Sequence, residues 1–190
     1  VMPGVKVYQL TDQHSPALHG IDGVDRCSDD VPMAVLRMML QANCGGEWLF
    51  VDPDIIVRQD VRSVFDSPFD VALTDRAGTS MAGTPYAAVM PYNLGVAFSR
   101  SPAFWRQATR RVQKMSLSLQ EWEGDQLAIC QMVKQRAAGD VKILPGRVYN
   151  YPPNSPNDDV SHAAIVHYKG GRKGWMDQIG KQTDGKVDKR

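Results

Sequence analysis

An all-apolar run, Trp48-Leu-Phe-Val51, leads directly into two carboxylates, Asp52 and Asp54, and a second β-branched run, Ile55-Ile-Val57, follows at once. No other feature of the chain restricts its fold as much. Four successive apolar residues have no polar face, so they suit a strand covered on both sides, the setting of a central strand in an α/β sheet. In an extended backbone, positions i and i+2 point the same way, so the two carboxylates can meet at the strand end. Open α/β sheets bind ligands at that end. Two like charges held close together need a counter-charge. A divalent cation bridging to a phosphate supplies one, and hard Mg²⁺ or Mn²⁺ prefers oxygen ligands of this kind. The bare triplet carries little weight: with 18 Asp in 190 residues, roughly 1.7 Asp-x-Asp triplets arise by chance. Its place after a buried strand raises it, against a competing role in capping and turns.

The remainder alternates between strand-like and helix-like segments. Val5–Leu10, Asp70–Thr74, Gly95–Ser99, Val141–Leu144 and Ala163–Val166 read as strands. Pro32 to Gln41 reads as a helix with Pro32 in its first position. Ser101-Pro102 pairs a capping residue with a helix-starting proline. Phe104, Ala108, Val112 and Met115 then form one apolar stripe. A further helix is expected from about Leu119 to Arg136, and loops over Thr11–Asp30 and 75–92. Strands alternating with helices predict an α/β domain with a mixed, mainly parallel sheet.

At 21.1 kDa, 43% hydrophobic and 23% charged, the chain suits one globular domain, expected over 1–179, and excludes wholesale disorder, collagen and coiled coil. Residues 180–190 read as a polar basic tail. A net charge of +1 removes any strong whole-chain field for nucleic acid or anionic membrane, though the tail's Lys181, Lys186, Lys189 and Arg190 offer a peripheral membrane contact. Cys27, Cys44 and Cys130 contain no Cys-x-x-Cys, so neither a disulfide framework nor a thiolate zinc site is expected, and a reducing, cytoplasmic setting follows. No apolar run approaches the roughly 20 residues of a membrane span, and Val-Met-Pro-Gly at the start does not read as a signal peptide.

A second chemical feature lies far along the chain. Val166-His167-Tyr-Lys-Gly170-Gly-Arg-Lys173-Gly-Trp175 joins a strand end, an imidazole, a glycine-rich turn and basic side chains. Neutral imidazole can complete a metal site. Glycine amides can approach a phosphate closely, and Lys173 can neutralise it. A satisfied histidine beside a solvated basic loop is the plainer alternative.

Taken together, an Asp-x-Asp after a buried strand and a late His-x-x-Gly-x-x-Lys-x-Trp resemble the GT-A-fold glycosyltransferases of the glycogenin and lipopolysaccharide-galactosyltransferase type, glycosyltransferase family 8. The late motif matches at His167, Gly170, Lys173 and Trp175, with Gly174 where that family usually has Pro. Asn93-Leu-Gly95-Val96 is similar to the family's Asn-x-Gly-Val segment near the donor sugar. Asp125-Gln126 resembles its Asp-Gln segment on the acceptor side. Arg37 sits near the position of a helix Arg that contacts the donor.

The resemblance implies a Rossmann-like GT-A fold with the family's first strand missing or reduced. It implies Mn²⁺ or Mg²⁺ on Asp52, Asp54 and His167. Donor contacts would come from Asn93, Gly170, Lys173 and Arg37, and Asp125 and Gln126 would act at the reacting centre. The implied reaction moves a sugar from a nucleotide diphosphate sugar, a UDP-sugar in most of the family, to a saccharide or glycoconjugate acceptor with retention. A nucleic-acid base is a further acceptor class. Two alternatives stand beside it. One is a non-catalytic nucleotide-binding relative. The other is a phosphohydrolase of the haloacid-dehalogenase type, with Asp52 as nucleophile and Asp54 as general acid. The latter needs a later acidic pair, which only Asp158-Asp159 offers.

Overall fold

The computed structural model describes residues 2–27, 30–79, 82–135 and 141–176. In chain order the elements are β1 (Tyr8–Thr11), β2 (Gly23–Arg26), α1 (Met33–Asn43), β3 (Trp48–Val51), β4 (Ile55–Val57), β5 (Val71–Asp75), α2 (Pro85–Val89) and β6 (Tyr92–Ser99). They continue with α3 (Pro102–Val112), α4 (Leu117–Glu121), α5 (Gly124–Gln135), β7 (Val141–Leu144), α6 (Gly146–Tyr149) and β8 (Ile165–His167). Single 3₁₀ segments cover Arg62–Asp66 and Gly170–Trp175.

Four strands form the main sheet in the order β3-β6-β5-β7. β3, β5 and β7 all point one way. β6 runs against them and lies between β3 and β5, so β5–β7 is the one parallel pair in that sheet. The expected mixed α/β sheet is therefore present, and most of its strands are co-directional. The parallel pairing expected between most neighbours is not. The 16-residue return from Asp75 to Tyr92 holds a single short helix, and it brings β6 back antiparallel alongside β5. Two smaller sheets flank this one, parallel β1–β2 and antiparallel β4–β8. Among the described residues, no strand pairs with β3 on the side away from β6.

The period-two pattern of the strands divides the core. Val71, Leu73 and Ala97 face one layer with α1, α3 and α5, whereas Ala72, Val96 and Phe98 face the other with Val64, Leu144 and Ile165. Trp105 is fully buried in the first layer, with its ring edge-on to Phe50 and its indole N–H donated to Ser99 Oγ at 2.7 Å. Truncating a side chain so packed costs about 3–5 kcal/mol. Helix α3 starts as its sequence dictates: Ser101 Oγ accepts from Phe104 N at 3.4 Å and Pro102 occupies the first turn.

Three local expectations change. β2 lies within the segment read as loop, and α2 within 75–92, capped by Thr84 Oγ1, which accepts from Ala87 N at 3.2 Å. The single helix expected over 119–136 is two helices. Trp122 leaves the helical region, Glu123 takes a left-handed φ of 68°, and α5 begins at Gly124. A Cβ on Gly124 would lie 2.3 Å from the Leu119 carbonyl oxygen, so only glycine lets α5 restart this close to α4. The basic tail at 180–190 lies outside the described residues.

Candidate active site

The Asp52-Pro53-Asp54 link crosses from one sheet to another. β3, before it, pairs with β6, and β4, after it, pairs with β8. Backbone bonds pin the link on both sides: Asp52 N donates to Gly95 O at 2.9 Å, and Tyr168 N donates to Asp54 O at 2.8 Å. Pro53 and Asp54 form a turn rather than continuing the extended strand. The carboxylates converge for that reason, not because of strand alternation. The β4–β8 register sets Ile55 opposite His167, which brings His167 Nε2 to 3.1 Å from Asp54 Oδ1 and 3.7 Å from Asp52 Oδ2. One ligand atom from each of Asp52, Asp54 and His167 lies within 4.8 Å of the others.

Cations surround this group. Arg37, from the middle of α1, reaches Asp52 at 2.9 Å and Asp125 at 3.4 Å, and also donates to Leu94 O. Lys173 Nζ lies 3.4 Å from Asp54 with its side chain largely exposed. Burial pushes the His167 imidazolium below its ordinary range, against the pull of Asp52 and Asp54. Lys169 projects charge at the same group. Burial, helped by the charges of Arg76 and Arg172, pushes its ammonium down to about 8 against the pull of Asp52 and Asp54. Two carboxylates faced by an imidazole nitrogen are the donor set of a divalent cation that accepts both nitrogen and oxygen. The residues present therefore fit Mn²⁺, or Mg²⁺ with a less typical nitrogen ligand.

Arg37 couples this group to the start of α5. Asp125 is buried, and its Oδ1 also accepts from Gln126 N at 2.7 Å. Gln126 does not face the carboxylates directly. Its Oε1 accepts from Arg76 Nη2 at 2.7 Å. Arg76 is itself buried, donates from Nε to Met90 O at 2.8 Å and lies 5.0 Å from the Tyr86 ring centroid. Burial lowers its pKa, partly offset by Tyr86 and Glu123.

The structure thus gathers Asp52, Asp54, His167, Lys173, Arg37 and Asp125. Gly170 opens the 170–175 turn with a left-handed φ of 65°. Asn93 Oδ1 turns inward and accepts from Gly95 N at 2.8 Å and Asn150 Nδ2 at 3.1 Å. Arg76, Lys169 and Asn150 have no individual role assigned from the sequence. Lys169 lies inside the late motif, between its fixed positions, where a basic residue near the imidazole was a usable signal. Arg76 sits in the 75–92 segment, whose small residues read as a loop. Asp158 and Asp159 do not join the site. Asp158 Oδ2 accepts from Tyr151 OH at 2.8 Å and Asn154 N at 2.7 Å, and Asp159 Oδ1 from Ser161 N at 2.9 Å. The second acidic pair that a phosphohydrolase needs is therefore occupied in a turn.

No protein-family model matches the chain, and no curated protein matches it. A solved structure does: the crystal structure of a glycosyltransferase involved in the glycosylation of the major capsid of PBCV-1. It is 13% identical, with a TM-score of 0.64, and the match covers 93% of this chain and 100% of the other. At that identity the likeness establishes the fold, a glycosyltransferase-like mixed α/β fold. No helix among the described residues is long and apolar enough to cross a membrane.

Proposed function

We propose that the chain is a metal-dependent glycosyltransferase of the glycogenin and lipopolysaccharide-galactosyltransferase type. It moves a sugar from a nucleotide diphosphate donor, with UDP-sugar as the first candidate, to a saccharide or glycoconjugate with retention. One observation carries this reading. Two carboxylates and an imidazole, supplied by two strand systems 113 residues apart in sequence, converge at 3.1–3.7 Å under a rim of cations, in a fold shared with a glycosyltransferase.

Asp52, Asp54 and His167 would hold Mn²⁺ or Mg²⁺, which when bound neutralises a diphosphate and gives Lewis-acid assistance to its departure. Lys173 and the amides around Gly170 would hold the charge that develops on the leaving phosphate, a contact worth most in the transition state. Arg37 fixes Asp52 and Asp125 relative to each other, so the metal-binding and acceptor sides keep one geometry. Asp125 lies on the acceptor side. Gln126, anchored by Arg76, positions the sugar. Asn93 would lie near the donor sugar.

Thermal unfolding across nucleotide sugars, with and without Mn²⁺, tests the reading. A ligand that binds only the native state raises Tm by mass action. A rise that needs both Mn²⁺ and one nucleotide diphosphate is expected and names the donor. No rise with any nucleotide diphosphate would overturn it.

A further inference from the structure

The imidazole of His167 is buried against Asn150, which lies outside both the Asp-x-Asp and the late motif. His167 Nδ1 lies 2.8 Å from Asn150 Oδ1, and Asn150 is itself only 4% exposed. Main-chain bonds place the two side by side: Tyr151 N donates to Ile165 O at 3.0 Å, and His167 N donates to Tyr151 O at 2.9 Å. Gly95 leaves space for the ring, because a Cβ there would fall 2.3 Å from His167 Cε1.

The surrounding hydrogen bonds fix which end of the carboxamide meets the ring. Gly95 N is a backbone donor and lies 2.8 Å from the Asn93 side chain, so that atom is Asn93 Oδ1, an acceptor. Asn150 meets this oxygen at 3.1 Å and the Asn93 carbonyl at 3.3 Å. Thr74 Oγ1 gives its hydroxyl proton to Asn93 O at 2.9 Å, which leaves it an acceptor toward Asn150 at 2.7 Å. Asn150 therefore faces three acceptors on one side and must turn its NH₂ to them. A flipped carboxamide would set its oxygen against two Asn93 oxygens, and the Thr74 hydroxyl could serve it only by leaving Asn93 O, so one buried acceptor would lose its donor at a cost of about 1–3 kcal/mol. Its Oδ1 is left for His167 Nδ1.

We propose that Asn150 is a positioning residue for His167: held by Asn93 and Thr74, it keeps a proton on Nδ1 and so leaves Nε2 free for the cation that Asp52 and Asp54 would hold. The proposal rests on the metal reading above for its purpose, not for its geometry. It also gives Asn93 a second task, since the inward side chain of the Asn-x-Gly segment supports the imidazole through Asn150. Outer partners of this kind fix a ligand's tautomer and typically govern metal affinity by about 10–100-fold.

Long-range ¹H–¹⁵N correlation on histidine-labelled, metal-free protein tests it directly at about pH 8.5, above the ordinary imidazole range. The expected result is a proton on His167 Nδ1, with Nε2 bare once Mg²⁺, a diamagnetic cation, is bound. A bare Nδ1 with the proton on Nε2, or a mixture of the two neutral tautomers, would overturn the proposal. This measurement needs no variant. The isosteric Asn150→Leu sharpens it: with no acceptor at Nδ1 and Asp54 at 3.1 Å from Nε2, the proton should move to Nε2 and Mn²⁺ affinity should fall about 10–100-fold. A variant that lowers Tm but keeps the Nδ1–H tautomer would show Asn150 to be merely structural and would also overturn it. Failure of the wild-type chain to take up Mn²⁺ would strike the metal reading instead, leaving the tautomer result to be judged separately.

Discussion

Asp52–Asp54 and Asp158–Asp159 are both close acidic pairs, yet the structure treats them in opposite ways. The first pair receives an imidazole and two cationic side chains and is stitched in place by backbone bonds from two sheets. The second is spent on a tyrosine hydroxyl and on the backbone amides of Asn154 and Ser161. Residue type cannot separate the pairs, and their spacings, two residues against one, do not decide their roles. What differs is the partner: charge facing a carboxylate points to a ligand, whereas amides a few residues away point to a turn.

The largest effect expected from this contrast is at Asp54. Asp54→Ala removes a carboxylate that meets both His167 and Lys173, and should abolish any Mn²⁺-dependent rise in Tm with a nucleotide diphosphate while the metal-free protein still unfolds cooperatively. An Asp54→Ala protein with wild-type Mn²⁺ affinity would put the two acidic pairs on equal terms and remove the metal assignment.

Arg37 comes next. It stands between Asp52 and Asp125 with 26% of its side chain exposed, so Arg37→Leu leaves two carboxylates without their shared counter-charge. Removing one partner of a fully buried pair costs about 3–5 kcal/mol, and solvent access reduces that here to about 1–2 kcal/mol. Urea unfolding measures it. Saturating Mn²⁺ should recover part of the loss, because a cation on Asp52 replaces the missing charge. A loss that Mn²⁺ does not touch would mean that Arg37 is only a strut.

Much of this site was legible in the sequence because the late motif and the Asp-x-Asp lie at strand ends, and strand ends in α/β proteins are read from apolar runs. His167 and Asp54 meet because β4 and β8 pair, and both strands announce themselves as short apolar stretches. The sheet directions were less legible: nothing in Tyr92–Ser99 signals that β6 enters antiparallel, since direction is set by the path of the connection, not by the strand's own residues. Asn150 was invisible for a related reason. Its partners Thr74, Asn93 and His167 come from three separate strands, and a hydrogen-bond network assembled across a sheet leaves no period in the chain. The break at Trp122–Glu123 was missed because helical propensity hides a left-handed residue until Gly124 is recognised as the position where α5 restarts.

A smaller effect is expected at Lys173. With 63% of the side chain exposed, its contribution is screened, so Lys173→Ala should weaken binding of UDP several-fold in the presence of Mn²⁺ and leave free uridine nearly unaffected. Calorimetry on both ligands separates the cases, and equal losses would argue against a phosphate contact.

The smallest effects belong to the second acidic pair. Asp158→Asn keeps an oxygen for Tyr151 OH and Asn154 N, so it should cost about 1 kcal/mol or less and leave Mn²⁺ affinity unchanged. Asp159 offers a pH signature. Hydrogen bonds from Ser161 hold its carboxyl below the ordinary carboxylate range, so the folded state binds its proton less readily than the unfolded chain does. Its stabilising contribution is therefore present above the usual carboxylate pKa of about 4 and is lost as pH falls through the lowered folded value. Asp159→Asn should differ slightly from wild type in urea unfolding at neutral pH, and the difference should vanish toward acid. A change in Mn²⁺ binding by either variant would erase the distinction between a carboxylate pair that faces charge and one that faces its own backbone.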